Sequence, residues 1–391
     1  MKVCGIIAEY DPFHLGHQYQ LREAKRLSGC DFLVCVISTA FTQRGSPALF
    51  STRDRTKMAL LGGADAVLAL PADFSVAEGD LFALGGVGVL NALSCVDALS
   101  FGMEDADKLP LFQQAAELLN EEPEVYRAAL RARLDEGLSF PRAQSQALAA
   151  CLRADDALFR KPNNILALGY LKALLTLRSP IAPIPVSRVG SRDGQTAGFL
   201  SSSAVREMIR RGSDYSAHLP PGSVRIAREA LAEGAFCPPD ALDKIALYRL
   251  RQLEYCGPDA SDRQEGIGRL LQKHLSEADG VEALIAAAST SRYTKARLRR
   301  FIARNVLMLD AEPQAAPSHA RLLAFRQDAR PLLRAIKEGA SLPVVEKPAA
   351  YRELLAADAF AEGLWAVGAG APQHNLFRES PWHPEELPCE S

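Results

Sequence analysis

The chain has 391 residues, of which 48% are hydrophobic and 24% charged, an ordinary globular composition and a length typical of two or three domains. The 45 basic and 47 acidic residues nearly cancel, which excludes an overall attraction to nucleic acid, so any basic surface must be local. The eight cysteines form no CxxC pair, which argues against zinc modules and disulfide scaffolds, and no apolar run is long enough to span a membrane. We therefore expect a cytoplasmic protein with reduced, mostly buried thiols and no bound structural metal.

The first hundred residues alternate between strand and helix patterns. Apolar, β-branched runs predict strands at Val3–Ala8, Phe32–Ser38, Ala66–Leu70 and 98–101. Apolar residues at three- and four-residue spacing predict helices at 15–27, 53–61 and 80–93. This alternation predicts an α/β fold with a Rossmann-like, doubly wound parallel sheet, in which ligands bind beyond the carboxyl ends of the strands.

The next part of the chain is predominantly helical. Helices are predicted at 111–119, 124–134, 142–152 and 164–177, followed by a strand at 184–189 and a helix at 201–211. A proline- and glycine-rich break at 219–222 predicts a domain boundary, which divides the chain into 1–215 and a mainly helical 216–391. Within the second part, a small strand-helix-strand unit is predicted from 321–325, 331–337 and 342–345.

The motif His14-Leu15-Gly16-His17 stands where the first predicted strand gives way to the first helix. A helix amino terminus carries unpaired N–H groups and a partial positive charge, which attract a polyphosphate. Two histidines three residues apart share one side of the first turn, and Gly16 allows close approach to the backbone. A chance pair of surface histidines is the alternative. The position directly after a buried strand favours a triphosphate site, with His14 and His17 as catalytic donors to the charge that develops during attack at the α-phosphorus.

Several ordered motifs resemble one known family. The HxGH strand-loop-helix resembles the HxGH nucleotidyltransferase superfamily, and the fuller string AEYDPFHLGHQYQL resembles the tRNA(Met) cytidine acetate ligase family. Further segments with the same resemblance are FTQRGSPALF (41–50), RTKMALLGGADAVLALP (55–71), ALSFGMED (98–105), KPNNILALGYLKAL (161–174) and SRYTKARLRR (291–300). The resemblance extends from residue 1 to about 345 and is weaker in the tail.

The resemblance implies a two-step reaction. Acetate and ATP, with Mg²⁺, would give acetyl-adenylate and pyrophosphate, and the acetyl group would pass to N4 of the wobble cytidine of elongator tRNA(Met) to give N4-acetylcytidine. Because acetate is ionised at neutral pH, the first step needs no general base. The implied organisation is an ATP-binding catalytic domain at 1–215 and a tRNA-binding, mainly helical domain at 216–391.

The resemblance also implies an ATP site. It maps onto Gly102, Asn163, Arg188 and a continuous segment made of Ile7, Ala8, Glu9, Tyr10, Asp11, Pro12, Phe13, His14, Leu15, Gly16, His17, Gln18, Tyr19 and Gln20. Gly102 would let the nucleoside approach the backbone, Asn163 can bond an adenine edge, and Arg188 offers a fork for phosphate oxygens. Their ordinary structural roles would be a turn glycine, a helix N-cap at Asn163 or Asn164, and a solvated arginine.

Two further segments are candidates for phosphate or substrate contacts. Gln43 and Arg44 follow the second strand and open onto the acyl end of the crevice, although Arg44 could instead pair with Asp54 or Glu78. The serine-rich helix start at 201–206 is similar to the second phosphate motif of the superfamily. Its candidate residues are Ser202, Ser203 and Arg206, and a plain serine N-cap with a solvated arginine is the alternative.

Two positions depart from the family pattern, and one of them, Leu15 in place of a common asparagine, is conservative because it lies between the two motif histidines. The family commonly has a lysine where this chain has Thr52, so the loop loses a phosphate-binding candidate, for which Arg53 or Arg55 could substitute.

A basic helix is predicted in the second part of the chain. The segment 289–304 contains no acidic residue, and an apolar stripe would leave most of its cations exposed. We expect these cations to contact tRNA phosphates, with a solvated helix face as the alternative. They are Arg292, Lys295, Arg297, Arg299, Arg300 and Arg304.

Two other functions stay open at this point. The first is a coenzyme-type adenylyltransferase acting on a phosphorylated small-molecule acceptor, which the length of the chain beyond the core disfavours. The second is a catalytically inactive, nucleotide-sensing RNA-binding protein, which the intact HxGH motif disfavours.

Overall fold

The computed structural model describes residues 1–188, 199–256, 266–290, 292–309, 315–371 and 375–384, and within these ranges a seven-stranded sheet forms the centre. Its order is β5-β4-β1-β2-β3-β6-β7. The strands are β1 (Val3–Ala8), β2 (Phe32–Ser38), β3 (Ala66–Leu70), β4 (Ala98–Met103), β5 (Ala182–Ser187), β6 (Ala320–Phe325) and β7 (Val344–Val345). The first five run parallel, β6 lies antiparallel to β3, and β7 is parallel to β6. The predicted Rossmann-like α/β fold is confirmed.

Helices connect and cover these strands. In the first part they are α1 (Leu15–Ser28), α2 (Thr52–Leu61), α3 (Ala72–Ser75), α4 (Gly79–Ala92), α5 (Leu109–Glu121), α6 (Glu124–Asp135), α7 (Phe140–Leu152), α8 (Pro162–Thr176) and α9 (Ser202–Arg210). In the second they are α10 (Pro221–Ala232), α11 (Asp243–Cys256), α12 (Ile267–Leu275), α13 (Val281–Ala288), α14 (Lys295–Val306), α15 (Arg330–Gly339) and α16 (Ala356–Gly368). The predicted helices of the first part form, with ends shifted by at most two residues.

Both faces of the sheet are buried, as a doubly wound fold requires. In β1, Val3 and Ile7 join the core beneath α4, α5 and α8, whereas Cys4 and Ile6 join the opposite core with α1, α2 and α10. Alternate side chains of a strand point to opposite faces, so a strand that is apolar at every position must be covered on both. The carboxyl ends of the parallel strands consequently meet at one open edge above the layers.

The strand predicted at 184–189 begins and ends two residues earlier, at Ala182–Ser187, because β5 takes its register from β4. Residue 189 lies outside the described residues.

The chain after residue 216 does not form a purely helical unit. Helices α11 to α14 and α16 build a core of their own, to which Phe41 and Val76 of the first part contribute. The strand-helix-strand segment that the sequence predicted as a separate small unit instead returns to the central sheet, where β6 pairs with β3. The main-chain groups at the edge of β3 are satisfied in this way. The predicted boundary between a domain at 1–215 and a domain at 216–391 therefore stays a proposal.

The described helices include none that is long and apolar enough to cross a membrane.

Candidate active site

A cleft of about 1260 Å³ opens at the carboxyl ends of β1, β2, β4 and β5. It is large enough for a nucleotide together with part of a second substrate, since pockets for single small ligands usually occupy 300–1,000 Å³. Most of the predicted ATP-site residues line it: Ile7, Ala8, Glu9, Tyr10, Asp11, His14, Gly16, His17, Tyr19, Gln20, Gly102, Asn163 and Arg188. The candidate substrate residues Gln43, Arg44, Ser202, Ser203 and Arg206 line it as well.

Four residues of the predicted ATP-site segment do not line the cleft. Pro12, Phe13 and Gln18 are buried, and Leu15 is partly buried. Phe13 is a core residue that lies so close to Gly62 that a Cβ there would stand 2.3 Å from its ring. The segment was assigned as a continuous string, whereas successive residues of a loop and helix point in different directions.

The two motif histidines stack at the first turn of α1. Their ring centroids lie 3.8 Å apart with an interplanar angle of 23°. His14 is the N-cap, and its Nδ1 accepts a hydrogen bond from the Gly16 N–H at 3.0 Å, while the His14 N–H donates to Nδ1 of His17 at 3.3 Å. Tyr10 supports the pair, with its buried ring edge-on to His17 at 4.9 Å.

These hydrogen bonds fix the tautomer of both rings. Because each Nδ1 accepts a hydrogen bond, the proton of each neutral imidazole must lie on Nε2, which makes Nε2–H a donor. Burial, together with the charge of Arg188, lowers the pKa of His14 to about 4. Burial, His14 and Arg188 also lower the pKa of His17 well below its usual range. At neutral pH the unliganded site thus presents two neutral donors.

Gly16 is required by the packing of this turn. A Cβ at this position would stand 2.8 Å from Cε1 and 3.0 Å from Nδ1 of His14, and 3.2 Å from Cβ of Phe199. These contacts are closer than side-chain carbons tolerate, so any larger residue would displace the His14 ring or Phe199. Phe199 also packs against Tyr19, with ring centroids 5.7 Å apart, and lines the cleft beside the motif.

Helix α9 is tied to the loop before α1 by a buried carboxylate. Asp11 is 2% exposed, and its Oδ1 accepts from the Leu49 N–H at 2.7 Å while its Oδ2 lies 3.1 Å from Nη1 of Arg206. Arg206 also donates to the Asp11 carbonyl and, through Nη2, to Oγ of Ser203 at 3.1 Å. Ser201 rather than Ser202 is the N-cap. The predicted second phosphate motif therefore stands beside the HxGH turn, with a cation held in place and one-third exposed.

A second anchor holds the end of β4 against α8. Asn164 is fully buried, and its Oδ1 accepts from the Glu104 and Asp105 N–H groups at 3.0 and 3.4 Å. Asn163 lines the cleft and donates through Nδ2 to Glu104 at 2.6 Å. Neither is the N-cap, because α8 begins at Pro162 with Lys161 in that position. Asn164 is thus structural, and Asn163 is the member of the pair that a nucleotide would meet.

Gly102 and Arg188 stand on the β4 and β5 side of the cleft. A Cβ on Gly102 would have only Cγ of Arg188 within 4 Å, at 3.9 Å, so this glycine borders open space. Arg188 is exposed, and its N–H donates to the Met103 carbonyl at 3.1 Å. Its guanidinium makes no ion pair with the residues that the structure describes.

Buried Arg55 organises the strand ends from below. It is fully buried and donates to the carbonyls of Phe50, Glu9 and Ser38 at 3.1, 2.7 and 2.9 Å, and to that of Thr39. All these acceptors are backbone oxygens, so Arg55 cannot replace a phosphate-binding lysine. Thr52 is also buried, and neither it nor Arg53 lines the cleft.

The loop after β2 forms the opposite wall. The Gln43 N–H donates to Oε1 of Glu9 at 2.5 Å, and its Nε2 donates to the Ala77 carbonyl at 2.7 Å. Arg44 is exposed, and within the described part of the chain it pairs with neither Asp54 nor Glu78. Gly45 has a φ of +84°, and a Cβ there would lie 2.9 Å from the Arg299 carbonyl oxygen. This close approach brings α14 to the rim of the cleft.

The six cations of the predicted basic helix have different environments. Arg292 and Arg297 lie 5.3 and 5.6 Å from the ring centroid of Tyr293, and Lys295 is exposed. Arg299 lines the cleft and binds Glu282 at 2.6 and 2.7 Å, while burial lowers the pKa of Arg300. Arg304 donates to the Asp73 and Val76 carbonyls at the end of α3 at 2.9 Å, and its side chain is only 14% exposed. The prediction that most of the six cations are exposed is wrong, because Arg292 and Lys295 are exposed but the other four are partly buried by their contacts.

Comparison with known proteins agrees with this geometry. A family model described as HIGH Nucleotidyl Transferase matches residues 1–378. A relative named tRNA(Met) cytidine acetate ligase from Acetivibrio thermocellus is 35% identical over 374 residues, covering 89% of this chain and 88% of the relative. One of the same name from Thermoanaerobacter sp. is 33% identical over 371 residues and 91% of both chains. The chain belongs to the tRNA(Met) cytidine acetate ligase family of HIGH nucleotidyl transferases.

A solved structure of a similar protein extends this result to the whole fold. The crystal structure of Thermotoga maritima TmcAL bound with alpha-thio ATP superposes with a TM-score of 0.89 at 27% identity, covering 98% of this chain and 99% of that one. Family membership confirms the resemblance that the sequence motifs predicted.

Sequence reasoning missed several residues that build the family's cleft in this chain. Phe199, Glu282 and the aromatic wall of Phe82, Phe101 and Tyr170 line it without having been predicted. Their sequence signal is weak, because an aromatic residue within an apolar run is usually predicted to lie in the hydrophobic core. The packing of these elements around the strand ends brings them to one cleft.

Proposed function

We propose that this protein is an ATP-dependent ligase that activates acetate as acetyl-adenylate and transfers the acetyl group to N4 of the wobble cytidine of elongator tRNA(Met). The relatives named tRNA(Met) cytidine acetate ligase, and the similar structure bound with alpha-thio ATP, support this proposal. The observation that carries it is a single cleft lined both by the HxGH turn and by Arg299 of the basic helix. A small-molecule adenylyltransferase has no need of a basic helix beside its cleft.

The first step would take place over α1. The nucleoside would lie on the side of Gly102 and Asn163, and the triphosphate would extend from the amino end of α1 towards Arg206. The carboxylate of acetate attacks the α-phosphorus, and pyrophosphate leaves. The Nε2–H groups of His14 and His17 already point away from their Nδ1 hydrogen bonds, so they can stabilise the developing charge without reorganisation.

Mg²⁺ would neutralise phosphate charge in this step, and we expect it to arrive with ATP. No group of three or more His, Cys, Asp and Glu side chains that could hold a metal ion occurs in the described ranges of the chain. The Asp11 carboxylate, which is nearest to the motif in sequence, is already bound by Arg206 and Leu49. Phosphate oxygens of ATP are the remaining ligands for such an ion.

The tRNA would approach from the α14 side, in the cytoplasm. Arg292, Lys295 and Arg297 form a basic group at the start of α14, and Arg299 and Arg300 continue towards the cleft. Phosphate contacts from such cations supply affinity that decreases with salt, and they orient the RNA without reading its sequence. We accordingly propose 1–215 as the catalytic domain and 216–391 as the part that contributes most of the tRNA surface.

One assay tests this function. The purified protein is incubated with ATP, labelled acetate and elongator tRNA(Met), and the digested nucleosides are separated by liquid chromatography and mass spectrometry. We expect labelled N4-acetylcytidine, and none from a tRNA whose wobble cytidine is replaced by uridine. ATP–pyrophosphate exchange without label in RNA would leave only acid activation, and exchange driven by a phosphomonoester instead of acetate would identify a coenzyme-type adenylyltransferase.

A further inference from the structure

The amino group of cytidine must lose a proton when it becomes an amide, and a carboxylate stands in the wall of the cleft for which the first step has no role. Glu9 follows β1 directly and lines the cleft. It lies in the segment assigned to ATP binding, yet its Oε1 is held by the Gln43 N–H at 2.5 Å on the β2 side of β1. Gly102 belongs to β4, Arg188 follows β5 and Asn163 lies on α8, whereas the contact to Oε1 comes from the loop after β2. Glu9 therefore stands at the end of the central strand β1, between that loop and Tyr170 of α8.

We infer that Glu9 is the general base of the acyl-transfer step, receiving a proton from the exocyclic amine of the cytidine. This inference rests on the proposed function. The N4–C bond forms as N4 attacks the acetyl carbon, and the bond from that carbon to the adenylate oxygen breaks. AMP leaves with the electron pair of that bond, while one N4 proton passes to Oε2 of Glu9 and then to water.

The position of the carboxylate is fixed from two directions. Arg55 donates to the Glu9 carbonyl at 2.7 Å and so holds the backbone, while the Gln43 N–H holds one carboxyl oxygen. Gln43 is itself fixed by the Ala77 carbonyl. Oε2 has no hydrogen-bond partner among the described residues, and Glu9 is a half-buried residue of the cleft wall, so Oε2 can accept a proton from a ligand in the cleft. A base needs this combination of fixed direction and free lone pairs.

Burial of the Glu9 carboxyl raises its pKa above the usual value of a glutamate. Burial raises the pKa of Glu9, the Gln43 hydrogen bond lowers it, Asp11 on the same loop raises it, and Arg206 of α9 and Arg55 of α2 lower it. From α8, Tyr170 faces the same carboxylate, whose charge contributes to raising the pKa of that phenol. Loss of water is the largest of these effects on Glu9. A carboxylate with a raised pKa takes up a proton more readily than an exposed one, and catalysis is best when the pKa lies near the working pH.

The test separates the two steps with Glu9→Gln, which preserves the size of the side chain and the oxygen that accepts from Gln43. Acetate-dependent ATP–pyrophosphate exchange measures the first step, and single-turnover transfer from preformed acetyl-adenylate to elongator tRNA(Met) measures the second. We expect transfer to slow by about 10²-fold or more and exchange to change by less than about tenfold. The matched control is Glu338→Gln, which removes the charge of an exposed glutamate on α15 that pairs with Arg334 and does not line the cleft.

The pH profile supplies a second readout. In the unmodified protein the transfer rate should fall tenfold per pH unit below the pKa of Glu9, while in Glu9→Gln the residual rate should not follow this dependence. Equal loss of exchange and transfer in Glu9→Gln would overturn the inference, because Glu9 would then serve the first step. Unchanged transfer in Glu9→Gln would also overturn it. If that variant fails to fold, Glu9→Ala replaces it, and equal loss of exchange and transfer, or unchanged transfer, overturns the inference in the same way. Absence of exchange in the unmodified protein would instead contradict the proposed function.

Discussion

The replacement His14→Asn separates two roles that one side chain performs. Nδ1 of His14 caps α1 by accepting from the Gly16 N–H at 3.0 Å, and Nε2–H is the donor that we assign to the phosphates. Asparagine is among the best N-cap residues, and its side-chain oxygen can accept the same backbone hydrogen bond. The free energy of unfolding at pH 7.5 should therefore change by less than about 1 kcal/mol.

Catalysis should respond very differently. Loss of one preorganised donor to a developing negative charge typically lowers kcat by about 10²–10³-fold, or roughly 2.7–4 kcal/mol. We expect the kcat of acetate-dependent ATP–pyrophosphate exchange to fall by this factor in His14→Asn. Exchange is measured with saturating ATP and acetate, and urea melts of the same preparations report stability.

The control is His14→Ala, which removes both the cap and the donor. It should lose a similar amount of activity and about 1 kcal/mol more stability than His14→Asn. Exchange in His14→Asn within threefold of the unmodified protein would refute the assignment of Nε2–H as a catalytic donor. A large stability loss in His14→Asn would refute the cap argument instead.

Three other predictions follow from neighbouring contacts. Burial lowers the pKa of His14 in the folded protein to about 4, so the unfolded chain binds the proton more tightly between pH 4 and 6.5. Urea melts should therefore show that the free energy of unfolding falls by roughly 3 kcal/mol as the pH is lowered through this interval. His14→Asn should not show this contribution. Gly16→Ala should destabilise the protein by about 1–3 kcal/mol, because its methyl group would lie 2.8 Å from the His14 ring. The displaced ring should also weaken ATP binding, measured by calorimetry. Unchanged ATP affinity would contradict this argument, because the ring would then move without loss of the site. Arg304→Ala should lower the free energy of unfolding, measured in urea melts, by about 2–3 kcal/mol, because Arg304 binds two backbone carbonyls. Lys295→Ala should instead reduce tRNA affinity in filter binding and lower the slope of log K against log salt by about 0.7–0.9, because Lys295 is exposed. If Arg304→Ala affected mainly tRNA binding and Lys295→Ala mainly stability, the placement of α14 would be contradicted.

The start of the chain was predictable from sequence because its determinants are local. β1 and β2 are continuous apolar runs, which is typical of parallel strands buried on both faces. The HxGH turn follows directly, so the strand end, the helix start and the cleft residues His14, Gly16 and His17 are encoded by neighbouring residues. The identity of the cleft could be predicted for the same reason, since the ends of parallel strands share one edge of the sheet.

Contacts between distant residues could not be predicted in this way. The sequence predicted Arg206 as a phosphate contact, with a solvated arginine as the alternative, but it did not indicate the ion pair with Asp11, 195 positions away. The sequence gives no sign that Arg304 differs from the other cations of α14. Its structural role comes from the docking of that helix on α3, where it binds the Val76 carbonyl, 228 positions away. The pairing of β6 with β3 likewise depends on an edge that the local pattern of neither strand reveals.

The most direct test of the central claim is ATP–pyrophosphate exchange in the absence of tRNA. If the cleft above α1 activates acetate, labelled pyrophosphate should enter ATP only when acetate is added, and the exchange should be lost in His14→Asn. Exchange that requires a phosphomonoester, or that proceeds equally without acetate, would contradict acetate activation at this site.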